Sequence, residues 1–261
     1  CHRKRRGKCR ALNAIEIKDL RFAYSHGPEI LEMPEFHVRQ GEKVFLFGPS
    51  GSGKTTLLSI ITGILSARSG RVSVLGEDLT RLSASARDRL RGTRMGYIFQ
   101  MFNLLPYLSV IDNILLPCKM NPHRAERVGA DVEAEAWIIA EHLGIAEHAH
   151  KKPSDLSVGQ QQRVAAARAL LGNPDLIIAD EPTSALDTDH RESFLELLFT
   201  NTKKSGAAVL FVSHDRSLAR LFDRSISLPD LNLAAPSVSP AIKKPATKVT
   251  RTSSGKRVQK K

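Results

Sequence analysis

No apolar run in the sequence approaches the ~20 residues that a membrane-crossing helix needs. The best stretch, Leu57 to Leu65, is short and broken by Ser, Thr and Gly. The chain is therefore expected to span no bilayer. Its basic start leads into mixed polar sequence rather than an apolar core, so no secretory signal peptide is expected either. Cysteine is scarce. Cys1, Cys9 and Cys118 form neither a paired framework nor a metal-ligand spacing, which excludes a disulfide scaffold and suits a reducing compartment. Acidic residues are missing from both ends: residues 1–10 hold six Lys or Arg and residues 241–261 hold eight, with no Asp or Glu in either. Without those fourteen, residues 11–240 carry 25 basic and 27 acidic side chains, so the net charge of +12 resides in the two ends. A near-neutral body argues against a nucleic-acid track. No internal repeat is visible, which gives one unit rather than a tandem pair.

What is present divides into three parts. Residues 1–13 read as a basic extension and 236–261, rich in Pro, Ser, Ala, Thr and Lys, as a basic disordered tail. Between them, 14–235 read as the folded domain; 41% hydrophobic residues suffice to fill its core. Ala14 to Tyr24 alternates like a strand, and Lys43 to Phe47 is a short apolar run typical of a buried one. A helix is expected from Lys54. Strands follow at Arg71 to Leu75 and Met95 to Phe99. Residues 101–156 look helical and charge-rich, clearest at Asp131 to Leu143, and the stretch to about 165 reads as a helical insertion. A helix is expected from Ser157 to about Leu171, a central parallel strand at Asp175 to Ala179, a helix from about Thr188 and a strand at Ala207 to Val212. Strands alternating with helices imply an α/β sheet with crossover helices.

Two local patterns carry chemistry. Gly48-Pro49-Ser50-Gly51-Ser52-Gly53-Lys54-Thr55, followed by Thr56, fits a phosphate-binding loop between an apolar strand and a helix. Glycines let successive backbone N–H groups converge on one anion, and the helix N-terminus adds its positive end. Lys54 is expected at the β- and γ-phosphates and Thr55 on Mg²⁺. Asp180 and Glu181 follow the run DLIIA, at the carboxyl end of a strand, where open α/β sheets place their ligands. Asp180 is expected to hold Mg²⁺ and Glu181 to polarise an attacking water.

Phosphate loops occur in kinases, GTPases, helicases and transporters; the choice among them rests on Leu156-Ser157-Val158-Gly159-Gln160, which closely resembles the Leu-Ser-Gly-Gly-Gln signature of the ABC ATPases. Further elements are similar to that family in order and spacing. Gln100 lies where its Q-loop does, Ser184-Ala185-Leu186-Asp187 resembles its D-loop, His214 its switch histidine, and Tyr24 its adenine-stacking aromatic. The resemblance covers about residues 14–228. It implies an α/β, RecA-like P-loop NTPase core with a mostly parallel sheet, an N-terminal antiparallel β part and an inserted helical subdomain. It also implies an ATPase using ATP and Mg²⁺, with Gln100 beside Thr55 and Asp180 at the metal. Ser157, Gly159, Gln160 and Asp187 would act on nucleotide bound to the other copy in a homodimeric ATP sandwich. The partners implied are transmembrane permease subunits at the cytoplasmic face of the cell membrane, where the chain would be peripheral; no nucleic acid is implied. MGYIFQMFNLLPYLSVIDNILLP resembles the ATPases of lipoprotein-releasing and macrolide-export systems. Val158 departs from the usual Gly and places β-branched bulk near nucleotide. A DNA- or ribosome-directed ABC ATPase would carry tandem units or a long coiled coil, whereas about 55 residues separate Gln100 from Leu156. A GTPase would need Asn-Lys-x-Asp, which is absent.

Overall fold

The computed structural model describes residues 13–25, 27–129, 131–184 and 188–234. The two basic ends and Asp187 lie outside the described residues.

The chain opens with two long strands, β1 (Asn13–Ala23) and β2 (Glu29–Arg39), then β3 (Lys43–Phe47) and α1 (Lys54–Ile61). Next come β4 (Ser69–Val74), β5 (Glu77–Asp78), α2 (Ala84–Arg94) and β6 (Met95–Ile98). A helical stretch follows: α3 (Val110–Met120), α4 (Pro122–Glu126), α5 (Val132–His142) and α6 (Val158–Leu170), with short 3₁₀ turns at Ala146–His148 and Pro153–Asp155. The last elements are β7 (Leu176–Asp180), α7 (Thr188–Ser205), β8 (Ala208–Val212), β9 (Arg224–Ser227) and α8 (Leu228–Leu231). Among the described residues no helix is long and apolar enough to cross a membrane.

These strands form two sheets. The antiparallel one runs β2-β1-β4-β5 and the parallel one β6-β7-β8-β3-β9. This is the α/β architecture expected, with an antiparallel N-terminal sheet beside a parallel one.

The apolar runs of the parallel sheet are buried on both faces, and the period of two divides them between two cores. Phe45, Ile177, Ala179, Val209 and Phe211 face a core shared with α3, α5, α6 and α7. Val44, Leu46, Leu176, Ile178, Leu210 and Val212 face a second core, closed by α1 and the antiparallel sheet. Full burial of each large side chain contributes about 1.5–3 kcal/mol. The strand that leads into the phosphate loop is thus clamped from both sides. Its carboxyl end is held in register between β8 and β9.

Sequence periodicity gave no sign of β2. Its alternation breaks at Pro34 and Glu35, both exposed, opposite a matching break in β1 where Asp19 takes φ 50°. β2 is an edge strand, the position at which a sheet tolerates proline. Gly70 is pressed against this bulge: a Cβ there would meet the Asp19 carbonyl oxygen at 2.2 Å.

Candidate nucleotide site and signature helix

A cavity of about 650 Å³ opens where the carboxyl ends of β3, β7 and β8 meet the first turn of α1. The phosphate-loop residues Ser50, Gly51, Gly53, Lys54, Thr55 and Thr56 form one wall. Gln100, Asp180, Glu181 and His214 supply the polar remainder, and Tyr24 and Ile30 border it from the antiparallel sheet. Five separate stretches of sequence therefore converge on one cavity. Ile30 went unnoticed because β2 did.

The loop is shaped to receive an anion. Gly51 and Gly53 have φ of 80° and 96°, the left-handed region that side-chain-bearing residues rarely enter. A Cβ on Gly53 would also lie 2.8 Å from Leu31 Cδ2, so β2 packs directly under the turn. A Cβ on Gly48 would meet Ser52 Oγ at 2.7 Å. No side chain caps α1 at Gly53 and its first turn has no acidic residue, which leaves the helix's positive end for a ligand. Ser52 Oγ is buried without a hydrogen-bond partner among the described residues. The Lys54 ammonium donates to the carbonyls of Gly48 at 2.7 Å and Pro49 at 3.0 Å, folded over the loop. Pro49 and Gly48 thus serve as backbone acceptors at its rim. The Tyr24 hydroxyl and Thr56 Oγ1 are 3.2 Å apart, and the Tyr24 ring, 51% exposed, stands edge-on to Phe22.

On the opposite wall, β7 ends in Asp180 and the chain turns sharply: Glu181 has φ 47°, and its N–H donates to Val212 O at 2.9 Å. A non-glycine residue in this region stores strain that the surroundings must hold. Glu181 is buried, and its Oε2 accepts from His214 Nδ1 at 2.8 Å and Ser213 Oγ at 3.3 Å. A carboxylate can only accept, so Nδ1 carries the proton there. Burial, and then the Glu181 charge, push the neighbouring Asp180 carboxyl above its ordinary range, against the pull of Lys54. A divalent cation would relieve both costs. Thr55 hydroxyl, Gln100 amide and Asp180 carboxylate are hard oxygen donors of the kind magnesium takes. Together with the buried, unpartnered Ser52 hydroxyl and the glycine turn, they fit a nucleotide–magnesium complex.

Gln100 lies two residues beyond the end of β6. Immediately after it, Phe102 and Asn103 take φ of 58° and 48°, and their carbonyls accept from Arg168 of α6 at 2.6 and 2.7 Å. Arg168, which sequence reasoning passed over, ties this loop to the helix of the signature.

Ser157, Gly159 and Gln160 stand outside the cavity, at the N-terminus of α6. Ser157 caps the helix in a reciprocal box: Gln160 N–H donates to Ser157 Oγ at 3.3 Å and Ser157 N–H to Gln160 Oε1 at 2.8 Å. Val158, the first residue of the helix, is 46% exposed.

The sequence model of the family described as ABC transporter matches residues 31–184. The ABC transporter ATP-binding protein YbbA of Escherichia coli K12 is 37% identical over 221 residues, covering 84% of this chain and 95% of that protein. YbbA of Shigella flexneri gives the same figures. Among solved structures, the dimeric cassette MJ0796, described as a bacterial ABC transporter cassette, superposes with a TM-score of 0.72 at 34% identity, covering 82% of this chain and 93% of its own. A dimer of MJ0796 in a post-hydrolysis state, bound to ADP and Pi, gives 0.71 at the same identity. A cavity assembled from phosphate loop, paired carboxylates, glutamine and histidine, on a chain matched over most of its length by ATP-binding cassettes, identifies this protein as an ATP-binding subunit of the ABC transporter family.

Proposed function

We propose that this subunit hydrolyses ATP and thereby powers substrate movement through permease partners, in the manner of export or lipoprotein-releasing systems. The observation that carries the reading is the convergence of five sequence-distant stretches on one cavity. Gly48 to Gly53 cradle the phosphates, with Lys54 bringing a point charge to the β- and γ-positions. Tyr24 presents its exposed ring to the adenine. Thr55, Gln100 and Asp180 hold magnesium, which when bound offsets phosphate charge. Glu181 takes a proton from the attacking water, and His214, bonded to Glu181 at 2.8 Å, sits at the γ-phosphate. Two copies close head to tail, so that Ser157, Gly159 and Gln160 of one face the phosphate held by the other; Asp187 belongs to the same interface. The α3–α6 stretch, from about 101 to 165, forms the helical subdomain that meets the permease, and the subunit works peripherally at the cytoplasmic face of the membrane.

Lys54→Ala tests the cradle. Among the described residues its hydrogen bonds go to backbone carbonyls. The fold should therefore survive while ATP affinity falls by about a hundredfold, the worth of roughly 3 kcal/mol from a charged hydrogen bond to phosphate. Calorimetric titration of ATP into the variant checks this, and unchanged affinity would remove the cavity from the account. Val158→Gly tests the signature. Relieving β-branched bulk at the interface should tighten ATP-driven dimerisation by about 1 kcal/mol. Equal dimer constants and turnover in the two chains would show that the bulk is immaterial. Coupling is tested by co-purification in mild detergent. A permease with four membrane-spanning segments and a large extracytoplasmic domain supports the export-like assignment; a six-span permease with a binding protein refutes it.

A further inference from the structure

The signature helix is braced from outside the signature. His148 ends the 3₁₀ turn Ala146–His148, and its Nε2 lies 2.7 Å from Gln160 Nε2. Gln160 Oε1 is committed to the Ser157 N–H at 2.8 Å, which fixes which end of the amide is the NH₂. That NH₂ can only donate, so His148 Nε2 must accept and must be unprotonated. The ring proton then rests on Nδ1, which is buried without a hydrogen-bond partner among the described residues. An orphaned buried N–H costs stability, and the arrangement retains it.

Protonation of the ring is incompatible with this geometry. An imidazolium has N–H on both nitrogens, so Nε2–H would face the Gln160 NH₂, donor against donor. Turning the amide over satisfies the ring but sets NH₂ against the Ser157 N–H, and the reciprocal cap is lost. The charged neighbours do not reverse this. Glu147, on the same turn, has its Oε1 3.3 Å from His148 Nε2 and favours the cation, but its side chain is 79% exposed, where such pairs contribute little. From α6, Arg163 donates to Leu143 O at 3.3 Å. Glu141 and His142 at the end of α5 are exposed. On α3, Asp112 is bonded to Lys119 and Ser109, and its electrostatic contact is with His150.

We propose that neutral His148 is a positioning residue for the ABC signature: it holds the Gln160 amide, and through it the Ser157 cap, so that protonation of the ring loosens the helix tip that meets ATP across the dimer. This rests on the ATP-sandwich reading for its consequence, but not for its ring chemistry, and the two are tested separately.

The ring chemistry is read in the full-length, ATP-free chain by ¹⁵N NMR of the His148 imidazole. The expected spectrum at pH 8 has a protonated Nδ1 and an unprotonated Nε2; an Nε2–H tautomer overturns the proposal whatever the dimer does. The consequence is read in full-length Glu181→Gln chains with ATP, by sedimentation between pH 8 and pH 5.5, the window in which imidazoles titrate. Loss of the Gln160 Oε1 half of the box leaves the Ser157 N–H without its acceptor, worth about tenfold in an equilibrium constant. The dimer constant should weaken by about that factor on acidification when His148 is present. His148→Gln supplies a non-titrating acceptor for the Gln160 NH₂. It should dimerise normally at pH 8 and lack this part of the acid loss, while any contribution from His214 remains in both chains. His148→Phe, which fills the space without an acceptor, should be about tenfold weaker at every pH. Identical pH slopes for the His148 and His148→Gln chains overturn the proposal. Failure of every chain to dimerise at any pH overturns the sandwich, and with it the functional consequence claimed for His148.

Discussion

Glu181→Gln should bind ATP and dimerise as the unmodified chain does, and hydrolyse at least about a hundredfold more slowly, the lower end of what a general base contributes. Burial makes the experiment clean. The glutamine amide has the same shape, and its Oε1 can go on accepting from His214 Nδ1 and Ser213 Oγ, which now reach the carboxylate at 2.8 and 3.3 Å. The backbone strain at φ 47° and the bond from Glu181 N–H to Val212 O do not involve the side chain. What disappears is the basicity and one negative charge. Loss of that charge removes the second-largest cause raising the Asp180 carboxyl. Asp180 is therefore ionised over a wider pH range in the variant, and magnesium and nucleotide binding are undiminished or tighter. The signature result is a separation: ATP trapped in a stable dimer by sedimentation, with phosphate release near background. A variant with normal turnover would take the water-orienting role away from Glu181, and one unable to bind ATP would mean that the carboxylate shapes the cavity rather than the chemistry.

The elements legible in the sequence were those whose local pattern and global role agree. KVFLF, LIIAD and AVLFV are continuous apolar runs because both faces are covered, and they are the strands on whose ends the site is built. The phosphate loop and the Ser157–Gln160 box are readable because their function is local backbone geometry. Elements that answer to distant partners were hidden. β2 is interrupted by Pro34, and its burial changes phase there in step with β1, which bulges against β4 at the same point. α2 has a serine cap at Ser83 but buries only Leu90, so no apolar stripe marks it. β9 contributes Ile226 amid polar residues at the sheet's edge. The buried arginines are the extreme case. No motif or period singles out Arg124 or Arg168 in the sequence, yet each satisfies carbonyls brought together by the fold. Nothing in linear spacing reports a carbonyl's need for a donor. His148 was invisible for the same reason, since its significance lies in the one amide it faces.

Arg124→Ala should therefore destabilise the fold by about 4 kcal/mol, more than a surface arginine could. Arg124 is only 3% exposed, and its fork donates to Leu171 O and Ala169 O, each at 2.7 Å, and to Met95 O. These carbonyls belong to the end of α6 and the start of β6, so one side chain from α4 joins three elements. Burial lowers its affinity for the proton, to a pKa of about 10, and the guanidinium stays charged at neutral pH because carbonyl dipoles replace water around it. Its stem occupies the space over Gly172, where a Cβ would meet Arg124 Cγ at 2.4 Å. Alanine leaves the carbonyls without their donor and a void beneath them, two penalties that add. At roughly 2–4 °C per kcal/mol for a domain of this size, the melting temperature should fall by about 10 °C. Lysine restores the charge but not the fork, and should recover no more than half. ATP affinity of the folded variant should be unchanged at low temperature, because Arg124 lines no part of the nucleotide cavity. A loss below about 1 kcal/mol in thermal or urea unfolding would mean that water replaces the fork at little cost, and the junction of α4, α6 and β6 would then owe its rigidity to apolar packing alone.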